Sequence, residues 1–186
     1  MKQFIKNTIK KTIQKLTTLL SSTKVGRLVN EVIVNDVMNR VQEMEHNGIR
    51  MKFTVPNSLN RFRVESFSTK EPETLEWLDT LPEGGTLWDI GANVGLYSIY
   101  AAKKKNCRVV AFEPSVFNLE LLARNLFMNN LLDQVTIAPF ALSDGLGASL
   151  MRMTTTEWGG ALSTFGKEVG WDGNLSKRFL PSKRLE

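Results

Sequence analysis

The strongest constraint on the fold is a regular alternation of short apolar runs and helical patterns in the middle of the chain. The predicted strands cover residues 86–90, 108–112, 134–138 and 148–153, and the predicted helices cover 94–104 and 116–130. Strands that alternate with helices of this length form parallel βαβ units, with helices on both faces of one sheet. The sequence therefore predicts an α/β domain whose ligand site lies beyond the carboxyl ends of the strands.

The N-terminal part of the chain is predicted to be a helical extension over residues 1–48, followed by the α/β domain over 49–186. In a helix predicted over 2–20, the apolar residues that share one stripe are Ile5, Ile9, Ile13, Leu16 and Leu20. The remaining predicted elements are a second helix over 27–47 that ends at Gly48, two short strands or a hairpin in 49–68, and a helix over 69–81.

The basic charge of the protein is concentrated at its N-terminus. The whole chain has a net charge of +5, but residues 1–30 contain seven lysine or arginine residues and no acidic residue, so the other 156 residues sum to −2. The body therefore lacks the basic patch of a protein that follows a nucleic-acid backbone, and we expect no nucleic-acid partner. Three interpretations of the basic helix stay open: it docks on this protein or on a second copy, it lies on an anionic membrane surface, or it is disordered.

Composition argues against several other classes of protein. No apolar run reaches the roughly 18 residues of a membrane-spanning helix, and lysines interrupt the apolar centre that a secretory signal would need. Cys107 is the single cysteine and His46 the single histidine, which excludes an internal disulfide and an all-cysteine metal site. We therefore expect no metal and a cytoplasmic location, with peripheral membrane contact through the basic helix as an open alternative.

A glycine-containing turn follows the first predicted strand of the alternating region. Its spacing is D-x-G-x-x-x-G, formed by Asp89, Gly91 and Gly95. A dinucleotide fingerprint beginning at Gly91 would need glycines where Asn93 and Leu96 stand, which argues against a dehydrogenase. The observed spacing resembles the first motif of class I methyltransferases that use S-adenosylmethionine. The charge logic agrees, because a strand-end carboxylate attracts a cofactor that carries an ammonium and a sulfonium.

Two further loops fit the same site. Glu113 ends the second predicted strand, 18 residues after Gly95, and its oxygens can accept hydrogen bonds from both ribose hydroxyls. The third loop, residues 140–144, contacts adenine in the superfamily that the first motif resembles. Asn118, in the first turn of the following helix, can reach the ribose or the adenine.

The motifs DIGANVG, FEPS and ALSD, together with GGALSTFG at 159–166, are similar to those of the FkbM family of methyltransferases over about residues 65–166. This resemblance implies a Rossmann-like, doubly wound sheet and O-methylation of a hydroxyl, on a sugar or a glycosylated or secondary metabolite. The acceptor would be a small molecule or a carbohydrate. Ser98 would help to hold the methionine carboxylate of the cofactor. The full set of expected cofactor contacts is Asp89, Gly91, Ala92, Asn93, Gly95, Ser98, Glu113, Pro114, Asn118, Ala141 and Leu142.

The chain also departs from the family. No strand end like the family's downstream I-D-V-E-G is present, and about four strands are predicted where a complete class I core has more. We therefore expect the C-terminal half of the core to be missing, because the chain is a fragment, a truncated product or dependent on a partner chain. A free central strand edge would favour self-association. A non-catalytic chain that binds the cofactor weakly stays open as the alternative function. No catalytic base is assigned: His46 qualifies by residue type only, and Glu71 either lies over the cofactor or is an acid at a helix start.

Overall fold

The computed structural model describes residues 1–143, 151–153 and 155–161, and the backbone of 164–165 and 177–178. The chain divides into two compact units, Met1–Arg40 and Val41–Glu186. We call them the N-terminal unit and the α/β unit, and each is described by itself.

The N-terminal unit is a pair of helices, α1 (Lys2–Ser21) and α2 (Lys24–Met38). The Thr23 hydroxyl caps α2 by accepting a hydrogen bond from the amide of Gly26 at 2.9 Å. Only glycine fits at position 26, since a Cβ on Gly26 would lie 1.7 Å from the carbonyl oxygen of Leu20. The helix predicted over 2–20 is confirmed as α1, and the absence of a side chain at Gly26 lets the start of α2 approach the end of α1.

The α/β unit contains the remaining helices and strands. Its helices are α3 (Ser58–Glu65), α4 (Phe67–Lys70), α5 (Pro72–Asp79), α6 (Leu96–Lys105) and α7 (Val116–Met128). Its strands are β1 (Val41–His46), β2 (Ile49–Thr54), β3 (Thr86–Ile90), β4 (Arg108–Phe112), β5 (Val135–Ala138), β6 (Met151–Met153), β7 (Thr164–Phe165) and β8 (Lys177–Arg178).

The α/β prediction is confirmed by a parallel sheet of order β3-β4-β5, with α6 and α7 as the crossover helices. Side chains alternate between the two faces of a strand, and on one face Leu87, Val109 and Val135 join the core with residues of both helices. On the other face Trp88 and Ile90 are 62% and 65% exposed. In the described part of the chain, then, one face of the sheet is packed and these two apolar side chains of the other face meet solvent.

Three predicted elements differ from the structure. Residues 41–46 were assigned to the second helix but form β1, which pairs with β2 in an antiparallel hairpin. The segment 58–68, which was expected to hold the second of two short strands, forms α3 and the beginning of α4. The fourth predicted strand, β6, does not extend the parallel sheet, because it pairs antiparallel with β7 and β8 in a separate small sheet. Residues 144–150 lie outside the described residues.

Asparagine side chains of α7 tie the hairpin to the rest of the unit. Asn125 Oδ1 accepts a hydrogen bond from the amide of Thr54 at 2.8 Å, and its Nδ2 donates to the carbonyl of Val94 at 2.8 Å. Asn129 both accepts from the amide of Lys52 at 3.1 Å and donates to its carbonyl at 2.7 Å. Because Val94 belongs to the glycine turn after β3, Asn125 links that turn directly to β2.

Candidate cofactor site

The turn after β3 is held in a left-handed backbone conformation. The φ angles are +84° at Gly91, +52° at Asn93 and +87° at Gly95. At Gly95 a Cβ would also lie 2.5 Å from Cδ1 of Leu122, so close packing against α7 requires glycine there. The amides of Gly91 and Ala92 donate to the carbonyl of Phe112 at 2.9 and 3.0 Å, which fixes the turn against the end of β4.

Glu113 lies directly after β4 and is only 5% exposed. Its Oε2 accepts a hydrogen bond from the amide of Asn93 at 2.9 Å, and its Oε1 accepts one from the amide of Ser115 at 2.8 Å. Burial raises the pKa of this carboxyl, and the hydrogen bonds from the two amides act in the opposite direction. Each carboxylate oxygen keeps a further lone pair that can accept a hydrogen bond from a ligand.

Asp89 lies on β3, and its carboxylate is engaged inside the protein. Oδ2 accepts a hydrogen bond from the hydroxyl of Ser98 at 2.5 Å, and Ser98 is completely buried. Burial raises the pKa of the Asp89 carboxyl above its usual range, although the bonds from Ser98 oppose this shift. The negative charge of Asp89 also contributes to the raised pKa of Glu113, so the two carboxylates share one electrostatic environment.

A pocket of about 280 Å³ lies at the carboxyl ends of the parallel strands. Its lining residues are Ile90, Gly91, Asn93, Phe112, Glu113, Pro114, Ser115, Asn118, Phe140, Ala141, Leu142, Met151, Gly160 and Ala161. Seven of the eleven predicted cofactor contacts are thus brought together around one space. The other four, which do not line it, are Asp89, Ala92, Gly95 and Ser98.

One wall of the pocket is the loop formed by residues 155–161, whose role the sequence analysis did not recognise. The carbonyl oxygen of Gly160 accepts hydrogen bonds from Nδ2 of Asn93 at 2.8 Å and from Nδ2 of Asn118 at 2.9 Å. The amide of Gly159 donates to Oδ1 of Asn118 at 3.0 Å. Asn93 and Asn118 were predicted as cofactor contacts, and they line the pocket while also holding this loop.

Residues at and after the start of α3 hold the loop from its other side. The carbonyl of Trp158 accepts hydrogen bonds from Nδ2 of Asn57 at 3.0 Å and from Nδ2 of Asn60 at 2.8 Å. Both Nε and Nη2 of Arg63 donate to the carbonyl of Gly159, at 3.0 and 2.6 Å. These bonds span about 100 positions of sequence, and the only local signal for them was the glycine pair at 159–160.

Neither side chain that was considered as a base lines the pocket. Nδ1 of His46 lies 2.8 Å from the hydroxyl oxygen of Ser68. Glu71 accepts a hydrogen bond from the Tyr97 hydroxyl at 2.8 Å and forms an ion pair with Lys70 at 3.0 Å. The hydrogen bond from Lys70, followed by that from Tyr97, lowers the pKa of Glu71, which makes this carboxylate a weaker base.

The described residues also bear on a metal centre and on a membrane-spanning segment. In the residues that it describes, no group of three or more His, Cys, Asp or Glu side chains is arranged to hold a metal ion. The described helices also include none whose length and apolar character would let it cross a membrane.

Part of the chain is similar in sequence to a known methyltransferase. The chain is 37% identical over 68 residues to methyltransferase sdnD of Sordaria araneosa, an alignment that covers 36% of this chain and 26% of that protein. The chain thus aligns with about a quarter of the length of this curated relative. No protein-family profile matches, so membership of the FkbM family stays a prediction.

Parts of the chain are also similar to solved structures. M. jannaschii TYW2 in complex with AdoMet is 20% identical with a TM-score of 0.39, over 56% of this chain and 43% of that one. The SAM-dependent methyltransferase from Agrobacterium tumefaciens is 14% identical with a TM-score of 0.40, over 53% of this chain and 32% of that one.

Proposed function

We propose that the chain binds S-adenosylmethionine in the pocket at the ends of β3 and β4 and belongs to a methyltransferase. The observation that carries this proposal is the environment of Glu113. Its carboxylate is buried at a strand end, held by two backbone amides, and lines the pocket beside a glycine turn. The local identity to a known methyltransferase supports the same conclusion.

The pocket offers hydrogen-bond acceptors for the ribose hydroxyls of such a cofactor and for the ammonium of its amino-acid end. Glu113 can accept hydrogen bonds from the ribose hydroxyls through its remaining lone pairs. A Cβ placed on Gly91 would meet no atom within 4 Å, so a ligand has room to approach the backbone there. Asn93 lines the same pocket, and its Oδ1 is buried without a hydrogen-bond partner, so a ligand hydroxyl or ammonium that reaches this oxygen would satisfy it.

Asp89 would act through its charge. Burial makes its ionised form unfavourable, and a nearby cationic ligand would offset this cost. In this proposal the hydrogen bond from Ser98 fixes the orientation of the carboxylate, and Ser98 itself does not contact the methionine carboxylate. When bound, the cofactor supplies an electrophilic methyl group, and the pocket residues position it for in-line transfer.

For the methyl acceptor we propose a hydroxyl group of a small molecule or carbohydrate. The resemblance of the DIGANVG, FEPS and ALSD motifs to the FkbM family supports this class. The charge of −2 outside residues 1–30 supports an acceptor other than a nucleic acid. Methyl transfer from labelled S-adenosylmethionine to a panel of glycosides tests the assignment, and labelling of RNA alone would contradict it.

The alternative proposal is a non-catalytic chain that needs a partner chain to cover the open face of its sheet. It is favoured by Trp88 and Ile90, which are exposed on one face of the parallel sheet. Such a chain would bind the cofactor weakly and transfer no methyl group without its partner.

Calorimetry with S-adenosylhomocysteine tests the cofactor proposal. We expect the Glu113→Gln variant to bind about 10- to 100-fold more weakly, because hydrogen bonds to a charged group contribute about 1.5–3 kcal/mol. Glu76→Gln is the matched control, since Glu76 is exposed on α5 outside the pocket. If the wild type gives no heat and no thermal shift, or if both variants bind like the wild type, the cofactor site is not where we place it.

A further inference from the structure

The N-terminal unit exposes an unusual amount of apolar surface. Along α1, the stripe predicted from the sequence stays 45–61% exposed at Ile5, Ile9, Ile13, Leu16 and Leu20. On α2, the exposed apolar side chains include Val25, Leu28, Val32 and Ile33. Single exposed apolar residues are ordinary, but a row of them along each of two helices marks an interaction surface. Packing of α1 against α2 does not cover this row.

The charge of the unit indicates which kind of partner covers the row. The unit has six described basic residues, all exposed, against the acidic residues Glu31 and Asp36, and Arg40 forms an ion pair with Asp36. The six are Lys10, Lys11, Lys15, Lys24, Arg27 and Arg40. The first acidic residue of the chain is Glu31. Two copies of this unit placed face to face would bring like charges together, which opposes a homodimer through this surface. An anionic surface would instead attract the lysines while the apolar stripe is buried.

The pattern of α1 matches a helix that lies in a membrane interface. Its apolar residues recur every three or four positions, and basic and threonine side chains occupy much of the remaining circumference. A helix of 20 residues is about 30 Å long, so the stripe can lie along the plane of a bilayer. No described helix is apolar enough to cross one.

We propose that the N-terminal unit binds an anionic lipid surface, with the isoleucine and leucine stripe of α1 at the headgroup–acyl boundary and the lysines among the headgroups. Each basic side chain near such a surface strengthens binding about fivefold. Replacing one lysine by glutamate changes the charge by two and should weaken binding about 25-fold. This proposal is independent of the proposed methyltransferase activity.

Vesicle flotation of the full chain tests the proposal. We expect the protein to float with vesicles of phosphatidylcholine and phosphatidylglycerol, to stay in solution with phosphatidylcholine alone, and to be released by high salt. Lys10→Glu, beside the stripe, should weaken flotation, and Ile9→Asn should weaken it even at low salt. Arg61→Glu, on an exposed position of α3, is the charge control and should float like the wild type.

Three outcomes would overturn the proposal. The first is no flotation with anionic vesicles at low salt. The second is equal flotation with both lipid compositions, which would remove the role of charge. The third is a stable dimer in light scattering that Ile9→Asn dissociates while wild-type protein ignores vesicles, because a second copy would then cover the stripe.

Discussion

Replacing Gly159 by alanine should detach the loop of residues 155–161 from the pocket. Gly159 has a φ of +82°, and a Cβ there would lie 2.5 Å from Oδ1 of Asn60. Asn60 cannot move aside without cost, since it is 1% exposed and its Nδ2 donates to Oδ1 of Asn57 and to the carbonyl of Trp158, each at 2.8 Å. The substitution therefore combines backbone strain with a collision against a fixed side chain.

The cost can be worked from these contacts. A left-handed residue with a side chain costs about 1 kcal/mol, and losing two hydrogen bonds of Asn60 adds about 2 kcal/mol. A total of about 3 kcal/mol shifts the ratio of attached to detached loop by roughly 150-fold. Gly48→Ala is a matched control, because Gly48 has a φ of +78° but a Cβ there meets nothing within 4 Å. The control should show the backbone strain without the collision.

Two assays read the loop directly. In Gly159→Ala, a glutamate-specific protease should cleave after Glu157 faster than in Gly48→Ala, and S-adenosylhomocysteine should bind at least about tenfold more weakly, since a pocket wall is lost. The cleavage rate needs no ligand, so it tests the loop even if the cofactor proposal fails. Equal cleavage rates and equal affinities in the two variants would refute the reasoning.

Three other substitutions test separate parts of the structure. Asp89→Asn should raise the melting temperature of the ligand-free protein more at pH 7 than at pH 4. Burial raises the pKa of the Asp89 carboxyl in the folded protein. The wild type therefore loses stability as the pH rises above the unfolded-state pKa of about 4, and the uncharged asparagine does not. A constant difference across this range would contradict that cause. Asn125→Ala should cost about 2–3 kcal/mol in urea unfolding, because it leaves the buried amide of Thr54 without its acceptor; a loss below about 0.5 kcal/mol would mean that water replaces it. Trp88→Ser should reduce self-association in light scattering if the open sheet face causes it, whereas Trp77→Ser, on an exposed position of α5, should not; a monodisperse wild-type monomer would remove the premise.

The parallel part of the fold could be predicted because local signals agree there. The strands 86–90 and 108–112 have the predicted bounds, since apolar runs of strand length end at Gly91 and at Pro114. A strand was expected within 49–68, where β2 lies, but the first strand of the hairpin was missed although its signal was present. Val41 and Met44 fit a helical period, but Asn47 and Gly48 form a turn with φ of +46° and +78°. An Asn-Gly pair with two positive φ angles is typical of a tight hairpin turn.

One part of the candidate site could be predicted from the sequence, and another part could not. The positions of Gly91, Asn93 and Glu113 follow from motif spacing, because the parallel strands bring their carboxyl ends together. The contacts of Asn60 and Arg63 with the loop could not be predicted, since they join residues nearly 100 positions apart. No periodicity or turn rule connects such segments, and only tertiary packing reveals them.

On the outer edge of β2, side chains make the backbone hydrogen bonds that a neighbouring strand would otherwise make. The carbonyl of Arg50 accepts from Nζ of Lys103, and the amides of Lys52 and Thr54 donate to asparagines of α7. A backbone edge whose groups are already bonded offers no template for another strand. The outer edge of β2 is therefore closed, and a foreign strand would have to displace Lys103, Asn125 and Asn129 before it could add there.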